Sequence, residues 1–79
     1  MKMKLLGSVV ANPADNNIGT AALVHVVATS ATTLTQKNSG GTTLGTIYIP
    51  AGGDINLVKE STDTITCPTS NCTSIAYIS

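Results

Sequence analysis

The stretch that most constrains this chain runs from Thr43 to Ile65 and reads TLGTIYIPAGGDINLVKESTDTI. In its first part Thr46, Tyr48 and Pro50 alternate with Gly45, Ile47 and Ile49. Beyond the Gly-Gly pair, Ile55 and Leu57 alternate with Asn56 and Val58. A period of two in a β-branched-rich run is the mark of half-buried strands. Between the two runs, Pro50 fixes its φ near −65° for the first central position of a turn. Gly52 is free to take the positive φ that ends a type I turn in a bulge. The pattern predicts a β-hairpin whose turn residues are Pro50 and Gly52.

The remaining segments carry strand signals of the same length. The opening residues, MKMKLLGSVVANP, loosely imitate a secretory signal, with Lys2 and Lys4 ahead of an apolar stretch. That stretch is short and Gly7 and Ser8 interrupt it, so a first strand is the better reading, ending in the turn cluster of Asn12, Pro13, Asp15, Asn16 and Asn17. Residues 20–29 (TAALVHVVAT) are too few to span a bilayer, which takes about 20 apolar residues. They predict a central strand buried on both faces. Thr32–Lys37 (TTLTQK) has few apolar side chains and predicts an exposed or edge strand, followed by a turn at Asn38, Ser39, Gly40 and Gly41. Residues 60–63 suit another turn, 64–66 a short strand, 67–72 a loop and 73–78 the last strand. No window has a helical period. The fold expected is all-β, a small antiparallel β-sandwich or partly open barrel of about six to seven strands, in one domain over residues 1–79.

Composition then narrows the function. A chain of 79 residues buries only about 60–65% of its unfolded surface. Its core has no Phe or Trp, and Tyr48 and Tyr77 are its aromatics. Small scaffolds of this kind gain stability from a staple or from partner chains. Four lysines balance four acidic residues and arginine is absent. The basic face and stacking platforms of a nucleic-acid binder are therefore missing, and a net charge of zero gives no steering toward a membrane surface. Thirteen threonines and few charges describe a surface prone to associate.

Individual candidates are each weighed against a structural role. His25, the sole histidine, lies in a valine strand with no nameable nucleophile or orienting carboxylate, so a structural or interface role is expected. Cys67 and Cys72 are candidates for a disulfide that would add about 2 kcal/mol by closing a short loop. Free thiols are the next alternative, and zinc would need more ligands than two thiols and a distant histidine supply. The sequon at Asn71, Cys72 and Thr73 has meaning only in a eukaryotic secretory context. Asp54 with Asn56, and Asp15 with Asn16 and Asn17, offer oxygens to calcium but sit where turns favour these residues anyway. No catalytic, cofactor-binding or metal-binding residue is assigned, because no acid, base and nucleophile converge.

The run GTTLGTIYIPAGGDINLVKESTDTI, together with the closing TSIAY, resembles the small virion structural proteins of tailed bacteriophages, particularly marine and cyanobacterial ones. The matching positions are the IPAG turn at 49–52, the aliphatic strand ending in lysine at 55–59, TDTI at 62–65 and IAY at 75–77, about half the chain. The Cys67 to Cys72 loop departs from that pattern. The resemblance implies a β-sandwich without catalytic residues that decorates capsids or sits in necks and tails. It thus implies a virion location, assembly in the host cytoplasm, and partners among the major capsid protein, other virion proteins and further copies of this chain. The first function expected is a capsid decoration or cement protein. A neck or tail component is the alternative within that class, and a secreted β-sandwich binding module the alternative outside it. Expected contact residues are Met1, Met3 and Leu5 in the N-terminal segment, and Thr33 and Thr35 in the presumed edge strand.

Overall fold

A computed structural model describes residues 2–78 and is all-β. Its strands are β1 (Lys2–Leu5), β2 (Val10–Ala11), β3 (Leu23–Ala28), β4 (Thr32–Lys37), β5 (Thr43–Ile49), β6 (Asp54–Val58), β7 (Thr64–Thr66) and β8 (Ser70–Ile78). They form two antiparallel sheets facing one another as a small sandwich. One sheet has the order β1-β8-β3-β6, with β2 also on β8; the other has the order β5-β4-β7. The count of eight exceeds the expected six to seven because the N-terminal segment breaks into two short strands, β1 and β2.

The core lies between the sheets and is built from one face of each strand. In β3, Val24, Val26 and Ala28 are buried, while Leu23, His25 and Val27 on the other face are half-buried. This strand is central, as expected, but it is buried on one face and not on both. Leu34, Ile49, Ile65, Cys67 and Cys72 meet those valines, and Ile18 and Ala21 close the layer from the β2–β3 connection. Burying a full Val, Leu or Ile side chain stabilises by about 1.5–3 kcal/mol, so these aliphatics replace the aromatics the chain lacks.

Three expectations are corrected. The PAGG stretch does not form a hairpin, because β5 pairs with β4 whereas β6 pairs with β3, in the other sheet. A tight turn is present, with Gly53 N–H donating to Pro50 O at 2.9 Å and Gly52 at a φ of 79°. Pro50 therefore opens the turn as its first residue, and the positive φ falls at the third, as a type II turn requires. What carries the chain across the sandwich is the end of β3: Gly52 N–H donates to Ala28 O and Ala28 N–H to Gly53 O, both at 2.9 Å.

The second correction concerns β4, which is the central strand of the small sheet and not an edge. Its polarity is absorbed locally. Buried Thr32 donates its hydroxyl to Pro68 O at 2.6 Å, and Leu34 fills the core. A threonine whose hydroxyl is bonded costs little to bury. The third correction concerns residues 70–72. They are strand and not loop, pairing with β3 on one side and with β2 on the other.

Candidate functional site

The two long sides of the sandwich differ. On one side the β2–β3 connection seals the gap between the sheets. Buried Pro13 accepts from Cys67 N–H at 2.9 Å, and Asn16 forms a bridge with Ile65 that covers the outer edge of β7. Asp15 adds its backbone N–H to Thr66 Oγ1 at 2.9 Å and accepts from that hydroxyl at 3.2 Å, while Lys37 Nζ lies 3.5 Å from its carboxylate. Asn16 Oδ1 accepts from Ile18 N–H at 2.7 Å, and Asn17 Oδ1 from Thr20 N–H at 3.2 Å. These oxygens, considered above for calcium, serve the turn.

On the other side β5 and β6 face one another across an open groove of about 400 Å³. Leu34, Ile47, Ile55 and Leu57 give it an apolar floor, and Gln36, Thr46 and Asn56 stand at its rim. Six of the seven residues of β5 are exposed, and only Ile49 is buried. Leu44 is 54% exposed, Ile47 46% and Tyr48 65%. Large apolar side chains standing together on an open strand edge are the usual mark of an interaction surface.

A second exposed apolar set lies on the N-terminal arm, where Met3, Leu5, Leu6 and Val9 face outward. β1 pairs with β8 from Ile75 to Ile78, past the point where the pairing of β3 with β8 ends at Ser74. Met3 and Leu5 are thus exposed as expected of contact residues. Met1 lies outside the described residues. Thr33 is exposed and Thr35 half-buried, but both stand on the outer face of a central strand and present no free backbone edge.

His25 stands on the outer face of the large sheet, opposite Asn56 on β6 and Thr73 on β8. Its Nδ1 is 2.7 Å from Asn56 Oδ1, and Asn56 Nδ2 donates to the Tyr77 hydroxyl at 2.5 Å. Its Nε2 is 3.7 Å from an Asp54 carboxylate oxygen. The chain Asp54, His25, Asn56, Tyr77 crosses three neighbouring strands and ties β6 to β8 over β3. The imidazole is taken up in cross-strand bonding, and the carboxylate that sequence alone could not name beside it is Asp54.

Cys67 and Cys72 are both fully buried and are free thiols in this structure. They are core side chains here, and Cys72 belongs to β8 and not to a loop. Ser70 Oγ donates to Cys67 O at 2.7 Å and lies 3.8 Å from Cys72 Sγ. Burial pushes the Cys72 thiol above its ordinary pKa; the Ser70 contact lowers it and neighbouring Cys67 raises it further. A thiol held protonated and out of solvent is a poor nucleophile.

The surface the sequence reading missed is β5. Its alternation of Leu44, Thr46 and Tyr48 with Gly45 and Ile47 looks half-buried, but the sheets part here into the open groove and six of its seven residues are exposed. A signal was available, because TLGTIYI contains no charged residue, an unusual composition for an unprotected edge. Comparison with family models, curated proteins and solved structures returns no match for this chain.

Proposed function

We propose that this chain is a structural protein of a bacteriophage virion, a decoration protein that binds the capsid lattice in many copies and stabilises it. The observation that carries this reading is the open side of the sandwich. A small domain whose core holds no aromatic side chain leaves its longest edge strand and the adjoining groove uncovered, with Leu44 and Tyr48 exposed and Ile47 partly exposed at the groove. Covering such side chains gains about 1.5–3 kcal/mol each when burial is complete, which is large against the total stability of a small domain. The exposed N-terminal arm supplies a second contact at the far end of the large sheet, with Met3 and Leu5 available to a capsid protein or to another virion component. The side chains richest in chemistry, His25 and the two cysteines, are engaged in cross-strand bonding or buried, so the reading is one of association. The resemblance of residues 49–65 and 75–77 to phage virion proteins points the same way.

Peptide mass spectrometry of purified particles, produced from a phage genome that encodes the chain, tests this reading. The expected result is the chain present at a copy number comparable to that of the major capsid protein. Its absence from particles, with recovery only as a secreted or soluble species, would overturn the virion reading in favour of a binding module.

A further inference from the structure

Each open sheet edge meets solvent in a different way. The outer edge of β7 is covered by the reciprocal Asn16–Ile65 bridge. The outer strand β1 carries Lys2 and Lys4 among its four residues. The outer strand β6 is short and begins with Asp54, whose side chain is 62% exposed. Charges and short length are the usual protections against edge-to-edge pairing. β5 has neither, since it is seven residues long and uncharged from Thr43 to Ile49, and its bulge at Leu44 lies near one end and leaves Gly45 to Ile49 in regular register with β4.

We propose that β5 pairs with β5 of a second copy of this chain, antiparallel, about a two-fold axis through Thr46. Charge selects this occupant. Self-pairing sets each residue against its mirror position in the reversed strand, so charges on the axis or placed symmetrically about it face their like and repel. β1 would set lysines against lysines, whereas β5 has no charge to repel. The side chains are also complementary in size under this symmetry. Thr46 meets the partner's Thr46 on the axis, and Leu44, at the bulge that ends the regular stretch, comes beside the partner's Tyr48 on both sides of it. Aromatic–aliphatic and threonine–threonine pairs are favourable cross-strand neighbours. On the inner face Gly45, which has open space where a Cβ would stand, lies opposite the partner's Ile47. Pairing joins two three-stranded sheets into one of six and satisfies the outward backbone groups of β5. It also brings the two grooves beside β5 against one another, where Ile47 is partly exposed.

Sedimentation equilibrium of the full chain over a range of concentrations tests this pairing. The wild type is expected to form dimers and Thr46→Lys to weaken them at least about tenfold, by placing two ammonium groups on the axis. Thr46→Asp should weaken them likewise, and an equimolar mixture of the two variants should re-associate, because position 46 faces itself. Thr33→Lys, on the same face but away from the free edge, should leave the dimer intact. A wild-type chain that stays monomeric overturns the proposal and leaves β5 to a different protein. Dimers insensitive to both variants, or no rescue on mixing, overturn it equally. Should Lys at this position unfold the chain, isotope-filtered nuclear Overhauser contacts between labelled and unlabelled wild-type copies across Thr46 decide the question. The pairing does not depend on the virion reading: a dimer absent from particles would keep the one and refute the other.

Discussion

Asn16 and Ile65 exchange two backbone hydrogen bonds, from Asn16 N–H to Ile65 O at 3.1 Å and from Ile65 N–H to Asn16 O at 2.9 Å. This bridge makes the sandwich asymmetric, because it closes the side of β7 while the side of β5 stays open. Asn16 holds its place through its own side chain, which accepts from Ile18 N–H at 2.7 Å. Ile18 is a buried, β-branched residue at a φ of 52°, a conformation that persists only where its surroundings impose it. Asn16→Ala should therefore destabilise by about 1 kcal/mol, read as a lower denaturant midpoint. An unchanged midpoint would show that the core contact of Ile18 alone holds the segment.

Gly52 makes the crossing between sheets possible, since its φ of 79° lies where side chains with a Cβ are disfavoured. Gly52→Val should destabilise by about 1–3 kcal/mol and Gly52→Asn by clearly less, because asparagine tolerates this region better. Thermal melts should rank wild type above Asn above Val. Equal melting of Asn and Val would mean that the strain is not backbone strain.

Buried Cys72 should give stability an alkaline limit. Its folded pKa is raised, mainly by loss of solvent. The unfolded thiol therefore ionises first, from about pH 8.5 upward. The contribution is fully present below that pH and is lost as pH rises through the folded value. Lys59 acts in the opposite sense, since burial lowers its pKa while Asp63 partly restores it. Comparing wild type with Cys72→Ala isolates the thiol, as both keep Lys59. The wild-type midpoint should fall more steeply above pH 8.5 than that of the variant. Parallel curves would show that the thiol is not desolvated. Alkylation followed by intact mass should find both cysteines unreactive in the native chain and both reactive in denaturant. Failure to label in denaturant would mean that they are linked.

Apart from the break between β1 and β2 and the start of β8, where strands occur was legible in the sequence, and how they pair was not. The runs for β3, β4, β5 and β6 were all marked by alternation and bounded by turn residues. The turn at Pro50 was legible too, but a turn fixes only the local reversal of the chain. Whether β5 and β6 then pair or part is decided by Ala28, which binds Gly52 and Gly53 from a distant strand. The place of β4 was hidden for a similar reason. Thr32 looks like a surface residue until Pro68 O accepts its hydroxyl. On the candidate surface, Met3 and Leu5 were foreseen as exposed. The exposure of Leu44 and Tyr48 was not, because alternation shows which residues share a face and not whether another layer covers it.

Deletion of Met1 to Leu5 removes β1, whose residues are all exposed. The rest of the chain should keep its β circular dichroism, because β8 retains β3 and β2 as neighbours. The truncated chain should bind particles less fully, or leave them less resistant to heat. Full occupancy after truncation would remove the arm from the contact surface.

Hydrogen exchange tests the central claim, association through the open side, most directly when the chain assembled on particles is compared with the free chain diluted until it is monomeric. The account predicts that peptides covering Thr43–Ile49 become strongly protected on assembly, while peptides from the core strand Leu23–Ala28 change little. Equal exchange of β5 in the two states would contradict it.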